Sequence, residues 1–133
     1  MNTSVSPPRH HKWLAVLAAF NGLLAVSLGA FGAHGLQSFA SPELLPTWQT
    51  GVRYHMFHVV AALIAGFCGI GPAARRWATF AGWLFLAGIF LFCGSLYLLV
   101  LAPQSWLGLS APVGGALFML GWVSLTWALV TSK

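Results

Sequence analysis

Four stretches of this chain are apolar and almost free of charge, covering residues 13–33, 52–70, 77–101 and 111–131. An α-helix rises about 1.5 Å per residue, so about 20 apolar residues cross the hydrocarbon core of a bilayer. None of the four shows the period-two alternation of a membrane barrel strand, so the reading is helical. Charged residues make up 5% of the chain, against about 25% in an ordinary soluble domain. Six Lys/Arg and one acidic residue cannot cover a globule, so lipid must cover most of the surface. Disorder is excluded as well, because disordered chains are polar and charged. The expectation is an all-α integral membrane protein: a four-transmembrane-helix bundle over 13–133. Residues 1–12, polar at first and containing Pro7 and Pro8, read as a disordered cytoplasmic tail.

Breakers mark the connections. Gly35 follows the first span, and Ser41-Pro42-Glu43 reads as an N-cap followed by proline, opening a short interfacial helix. The helix of the second span can begin earlier, near Pro46. Gly71-Pro72 ends that span, Pro103 ends the third, and Ser110 with Pro112 opens the fourth. Arg9 and Lys12 precede the first span, Arg75 and Arg76 lie between the second and third, and Lys133 follows the fourth. All fall on one side, whereas the other side holds Arg53 and Glu43. The positive-inside rule then puts both termini in the cytoplasm of a multi-pass protein of a bacterial inner membrane, or on the matrix side in an organelle. Trp13, Trp77 and Trp127 would mark the inner interface, and Trp48 and Trp106 the outer one.

Three other readings of the same features are set aside. The first span follows a basic segment, as a signal peptide would. It is too long for a signal core and three further spans follow it, so it reads as a retained helix. The net charge of +5 reflects missing acids, and no interleaved basic and aromatic patch points to nucleic acid. Cys68 and Cys93 fall in spans at opposite depths, so two buried apolar thiols are expected rather than a disulfide.

Small residues at heptad spacing let membrane helices approach closely. Ala15, Ala18, Gly22, Ala25, Gly29 and Gly32 form such a stripe in the first span. In the second, Ala62, Ala65 and Gly69 continue a stripe that begins with His55 and His58. Ala81, Gly88 and Ser95 recur in the third, and Gly114, Gly121 and Ala128 in the fourth. Two arrangements fit: a self-contained bundle, or a bundle that leaves one close-packing face for a partner.

Ionisable groups inside a membrane are costly and each needs a reason. His55 and His58 are three residues apart and share a helical face. With His34, Tyr54, Ser95 and Tyr97 they gather at the expected outer end, beside Pro112, Gly114 and Gly115. Asn21 lies deeper and is expected to bond a neighbouring helix. The bland reading is a set of cross-helix hydrogen bonds that lock the bundle. The sharper one is a ligand site at His34, Tyr54, His58, Ser95, Tyr97, Gly114 and Gly115 for a quinone, lipid or similar amphiphile. A metal or haem site lacks the carboxylates that orient ligating histidines, so no metal or other cofactor is assigned.

Four blocks stand in order along the chain: GAFGAH at 29–34, WQTG at 48–51 leading to Tyr54 and Phe57-His58, FCGSLYLLVL at 92–101, and APVGGALFMLGW at 111–122. In these the chain resembles the YgdD-like family of small bacterial inner-membrane proteins, a domain of unknown function (number 423) with a relative in animal mitochondria. Ala111 departs from the more usual threonine. The resemblance implies a four-helix membrane protein with both ends inside, and it carries no activity. His55 stands outside the motif.

No GxSxG, Walker or HExxH motif and no carboxylate pair is present, so the expectation is not an enzyme. The leading expectation is a non-enzymatic accessory or assembly subunit of a larger membrane complex, with a respiratory complex as one candidate. Its partners would be the bilayer and other membrane subunits. The amphiphile-binding module is the alternative. A minor transporter is the third, although the inner half of the bundle offers no polar path.

Overall fold

The computed structural model describes residues 9–132, which form four long helices joined by short turns. Helix α1 is Arg9–His34 and α2 is Leu45–Phe67. Helix α3 is Pro72–Leu101, with one π-helical turn at Ile89–Cys93. Helix α4 is Leu107–Val130. Residues 9–12, expected in the tail, are thus helical, while residues 1–8 and Lys133 lie outside the described residues.

The starts follow proline placement. Pro46 and Pro72 sit in the first turns of α2 and α3, where a missing N–H costs nothing. A short 3-10 turn at Pro42–Leu44 precedes α2. Ser41 stands before it in an extended conformation, and its carbonyl rather than the expected hydroxyl accepts a bond, from Leu44 N–H. Helix α2 ends before the expected Ile70, because Gly69 and Gly71 adopt φ of +97° and +91°. There only glycine is unstrained. A side chain on Gly69 would also meet the backbone of Ala74 and Arg75. Gly69 is therefore a turn residue, not part of the packing stripe expected on α2.

Helix α1 packs chiefly on α2, α2 also packs on α3, and α3 packs on α4. The small stripe of α1 faces α2: Gly22 lies over Val59, Gly29 over Val52 and Gly32 over the ring of Trp48. Trp48 is fully buried and its indole donates to Leu28 O at 2.9 Å. It is a core residue that ties α2 to α1, not the interface marker expected. Asn21 is likewise corrected: its amide donates to Leu17 O within α1. Ala62 and Ala65 are buried on α2. The α3–α4 seam is closer still. Gly88 and Gly114 meet across it, Gly121 lies under Phe85, and Ser124 donates to Trp77 O at 2.9 Å. Ser132 accepts from Ile70 N–H at 3.2 Å, which puts the α2–α3 turn and the end of α4 at one end of the bundle.

Outward, the helices present Trp13, Phe20, Leu23, Phe57, Phe90, Met119 and Val130, all exposed. A soluble monomer does not carry so much contiguous apolar surface. Three segments are long and apolar enough to cross a membrane: Lys12–Ser38, Pro72–Leu101 and Leu107–Val130. Helix α2, which bears Arg53, Tyr54, His55 and His58, is not among them.

Candidate functional site

The expected single polar cluster separates into two. His55 and Tyr97 form the first, in the core between α2 and α3. The His55 Nδ1 and Tyr97 hydroxyl are 3.2 Å apart, and the two residues are 3% and 8% exposed. Tyr97 packs its ring on Trp48, with centroids 4.6 Å apart, and lies over Gly51, where a side chain would collide with it. His55 Nε2 is buried without a partner among the described residues.

His58 forms the second cluster, between α2 and α4. Its Nδ1 lies 2.8 Å from Tyr54 O, an acceptor, so Nδ1 carries the proton and donates. Nε2 is then a lone pair, and it accepts from the Trp122 indole N–H at 3.3 Å. Both nitrogens are thereby committed, and the tautomer is set by the hydrogen bonds. The imidazole face stacks on Phe118 with centroids 3.6 Å apart and planes within 10°.

Beside this stack lies a cavity of about 650 Å³, open at one side, lined by Tyr54, Phe57, His58, Phe92, Gly115 and Trp122 among others. Its size falls within the range of small-molecule sites, about 300–1,000 Å³. Phe92 belongs to the π turn of α3 and packs on Tyr54 and Phe118. Such turns recur at functional sites because the wider ring re-aims side chains. Arg53 lines the same cavity.

The remaining expected site residues fall elsewhere. His34 ends α1, exposed, and does not line the cavity. Ser95 donates its hydroxyl to Phe92 O within α3. Gly114 is a seam residue, because a side chain there would meet the Phe92 backbone; Gly115, one position on, has only ordinary contacts and lines the cavity. His58 lies near the middle of α2 rather than at its outer end. Sequence reasoning left out Arg53, Phe92, Phe118 and Trp122, of which Trp122 was the most legible. Its signal was a tryptophan far from either end of its span, where an indole N–H needs a partner. Among the described residues no three of His, Cys, Asp or Glu come together as a metal site, and Cys68 and Cys93 are free thiols.

Long apolar helices, a lipid-type exterior and an aromatic cavity inside it define an all-helical membrane protein. Residues 28–115 match the family model described as protein of unknown function (DUF423), and the chain belongs to that family. It is 44% identical over 119 residues to the UPF0382 membrane protein YwdK of Bacillus subtilis, covering 90% of this chain and 97% of that one. A UPF0382 membrane protein of Staphylococcus aureus, SAB0533, is 45% identical over 115 residues, 86% of this chain and 92% of its own. One from Staphylococcus epidermidis, SERP0230, is 39% identical over 117 residues, 88% and 94% respectively. No solved structure matches the chain.

Proposed function

We propose that this membrane protein is a non-enzymatic binding module for an amphiphile of the bilayer, held in the groove between α2 and α4. The observation that carries the reading is the cavity of about 650 Å³ beside the His58–Phe118–Trp122 stack. Its walls are aromatic and aliphatic, and its opening lies on a surface of exposed apolar side chains. A tail entering it leaves lipid for an equally apolar wall, and the rings supply most of the contact area. We read all four helices as crossing the inner membrane, with both termini cytoplasmic. The basic residues Arg9, Lys12, Arg75, Arg76 and Lys133 support that orientation. Helix α2 crosses in this reading because its two histidines turn inward: His55 and His58 are buried between helices.

Mild extraction from the host's own membranes followed by native mass spectrometry tests this. The expected result is the chain plus one small bound mass. That mass should be lost in Gly115→Leu, which puts a bulky side chain into the groove from a position where a Cβ makes only ordinary contacts. An accessory role in a larger complex is the competing proposal, supported by the apolar face that α1 turns away from α2. An added protein mass, retained in Gly115→Leu, would favour it and count against the groove.

A further inference from the structure

Arg53 lies on α2 between two cavities. It lines the α2–α4 groove of about 650 Å³. It also lines a smaller one of about 320 Å³ between α1 and α2, formed by Gly29, Gly32, Ala33, Trp48, Gln49 and Val52. Among the described residues it is the one charged side chain of either lining. The acid of this chain, Glu43, lines neither. One cation therefore stands where two apolar clefts meet, one on each flank of α2.

The hydrogen bonds narrow the headgroup chemistry. A quinone-type carbonyl needs a donor, and the natural one in the groove, His58, has both ring nitrogens engaged, with Tyr54 O and the Trp122 indole. The Tyr54 hydroxyl remains as a neutral donor in the groove, and the stronger, charged donor is the Arg53 guanidinium. It presents a planar fork that pairs with phosphate through two charge-assisted bonds. Resting on the amphiphile reading above, we propose that the occupant is a diacyl phospholipid with an anionic headgroup. Arg53 holds the phosphate, and one acyl chain lies in each cleft beside α2. Charge complementarity selects the anionic head, and the pair of clefts sharing Arg53 selects two tails over one.

The test uses the full chain in nanodiscs of phosphatidylcholine and phosphatidylglycerol in equal parts, with retained lipids read by native mass spectrometry. The expected result is one phosphatidylglycerol held per chain. Losing the charge-assisted pair in Arg53→Gln should weaken retention by about tenfold or more. Gly115→Leu, filling the larger cleft, and Ala33→Trp, filling the smaller, should each weaken it too. Lysophosphatidylglycerol, with one tail, should be held less well than the diacyl lipid. Retention that survives Arg53→Gln but not Gly115→Leu would overturn the anionic headgroup and leave the groove reading standing. So would preferential capture of an added neutral quinone. Equal retention of the single-tailed lipid, or indifference to Ala33→Trp, would overturn the two-cleft arrangement. No retained lipid or quinone in the wild-type chain would overturn both readings together. Circular dichroism of each variant separates a lost ligand from a lost fold.

Discussion

Changing Tyr97 to phenylalanine removes one oxygen, yet it leaves the buried His55 with neither ring nitrogen paired. A side-chain hydrogen bond inside a membrane protein averages about 0.6 kcal/mol and reaches about 1.7. A buried group left unpaired costs about 1–3 kcal/mol. Tyr97→Phe is therefore expected to destabilise the protein by about 1 kcal/mol, and His55→Leu by a similar amount through the orphaned hydroxyl. The double variant should cost less than the two singles added, because no unpaired group remains. Denaturant titration of all three in detergent measures the coupling, and additivity within about 0.3 kcal/mol would refute the pairing. That His55 and His58 serve different neighbours was only half legible in the sequence. A spacing of three residues puts both on one broad face, but it also sets them about 60° apart around the axis. On α2 that angle is enough to send His55 to α3 and His58 to α4. Periodicity locates a face; only the packed neighbours decide which part of the face meets which helix.

Between helices, the contrast of Gly114 with Gly115 is the sharpest test of the seam. A side chain on Gly114 meets the backbone of Phe92, which cannot swing aside, whereas one on Gly115 meets only the edge of the Phe92 ring at ordinary contact distance. Gly114→Ala should then push α4 off α3 and cost about 1–3 kcal/mol, the usual range for overpacking. Gly115→Ala should be near neutral, and can gain a little helix propensity. Thermal unfolding in detergent compares them, and equal midpoints would mean that the seam is not tightly packed there. The small-residue stripes made such seams visible in the sequence, and the spans themselves were legible from hydropathy. The π turn was not. Phe85, Ile89, Cys93 and Tyr97 are all buried, four residues apart. Four residues of an ideal helix overshoot a full turn by about 40°, so a regular helix would have rotated the last of them away from α2. The wider turn at Ile89–Cys93 absorbs that drift. Seen in the sequence, this signal competes with the heptad Ala81, Gly88, Ser95, and only the helix packing decides between them.

For the molecule as a whole, the decisive question is whether α2 crosses. The bond between Ile70 N–H and Ser132 sets the α2–α3 turn at the same end as the close of α4. If every helix crosses, that end also carries Arg75 and Arg76, and the turn around Gln104 lies opposite. Single cysteines at exposed positions 73 and 104 read this out, in a background where Cys68 and Cys93 are both replaced by alanine. On intact cells a membrane-impermeant maleimide should label Gln104→Cys and leave Ala73→Cys unlabelled until the membrane is opened. Labelling of Ala73→Cys on intact cells would mean that α2 returns without crossing, or that the whole bundle is inverted. Gln104→Cys stays unlabelled in both cases, so a cysteine at exposed position 37, in the α1–α2 connection, separates them: labelled if α2 fails to cross, unlabelled if the bundle is inverted. The test bears on the site as well. Arg53 lies toward the N-terminal end of α2, so four crossings with cytoplasmic termini place it toward the outer leaflet. There the ligand it selects must be an anionic lipid of that leaflet. An inverted bundle would turn the same two clefts toward the cytoplasmic leaflet, with the same chemistry and a different lipid supply.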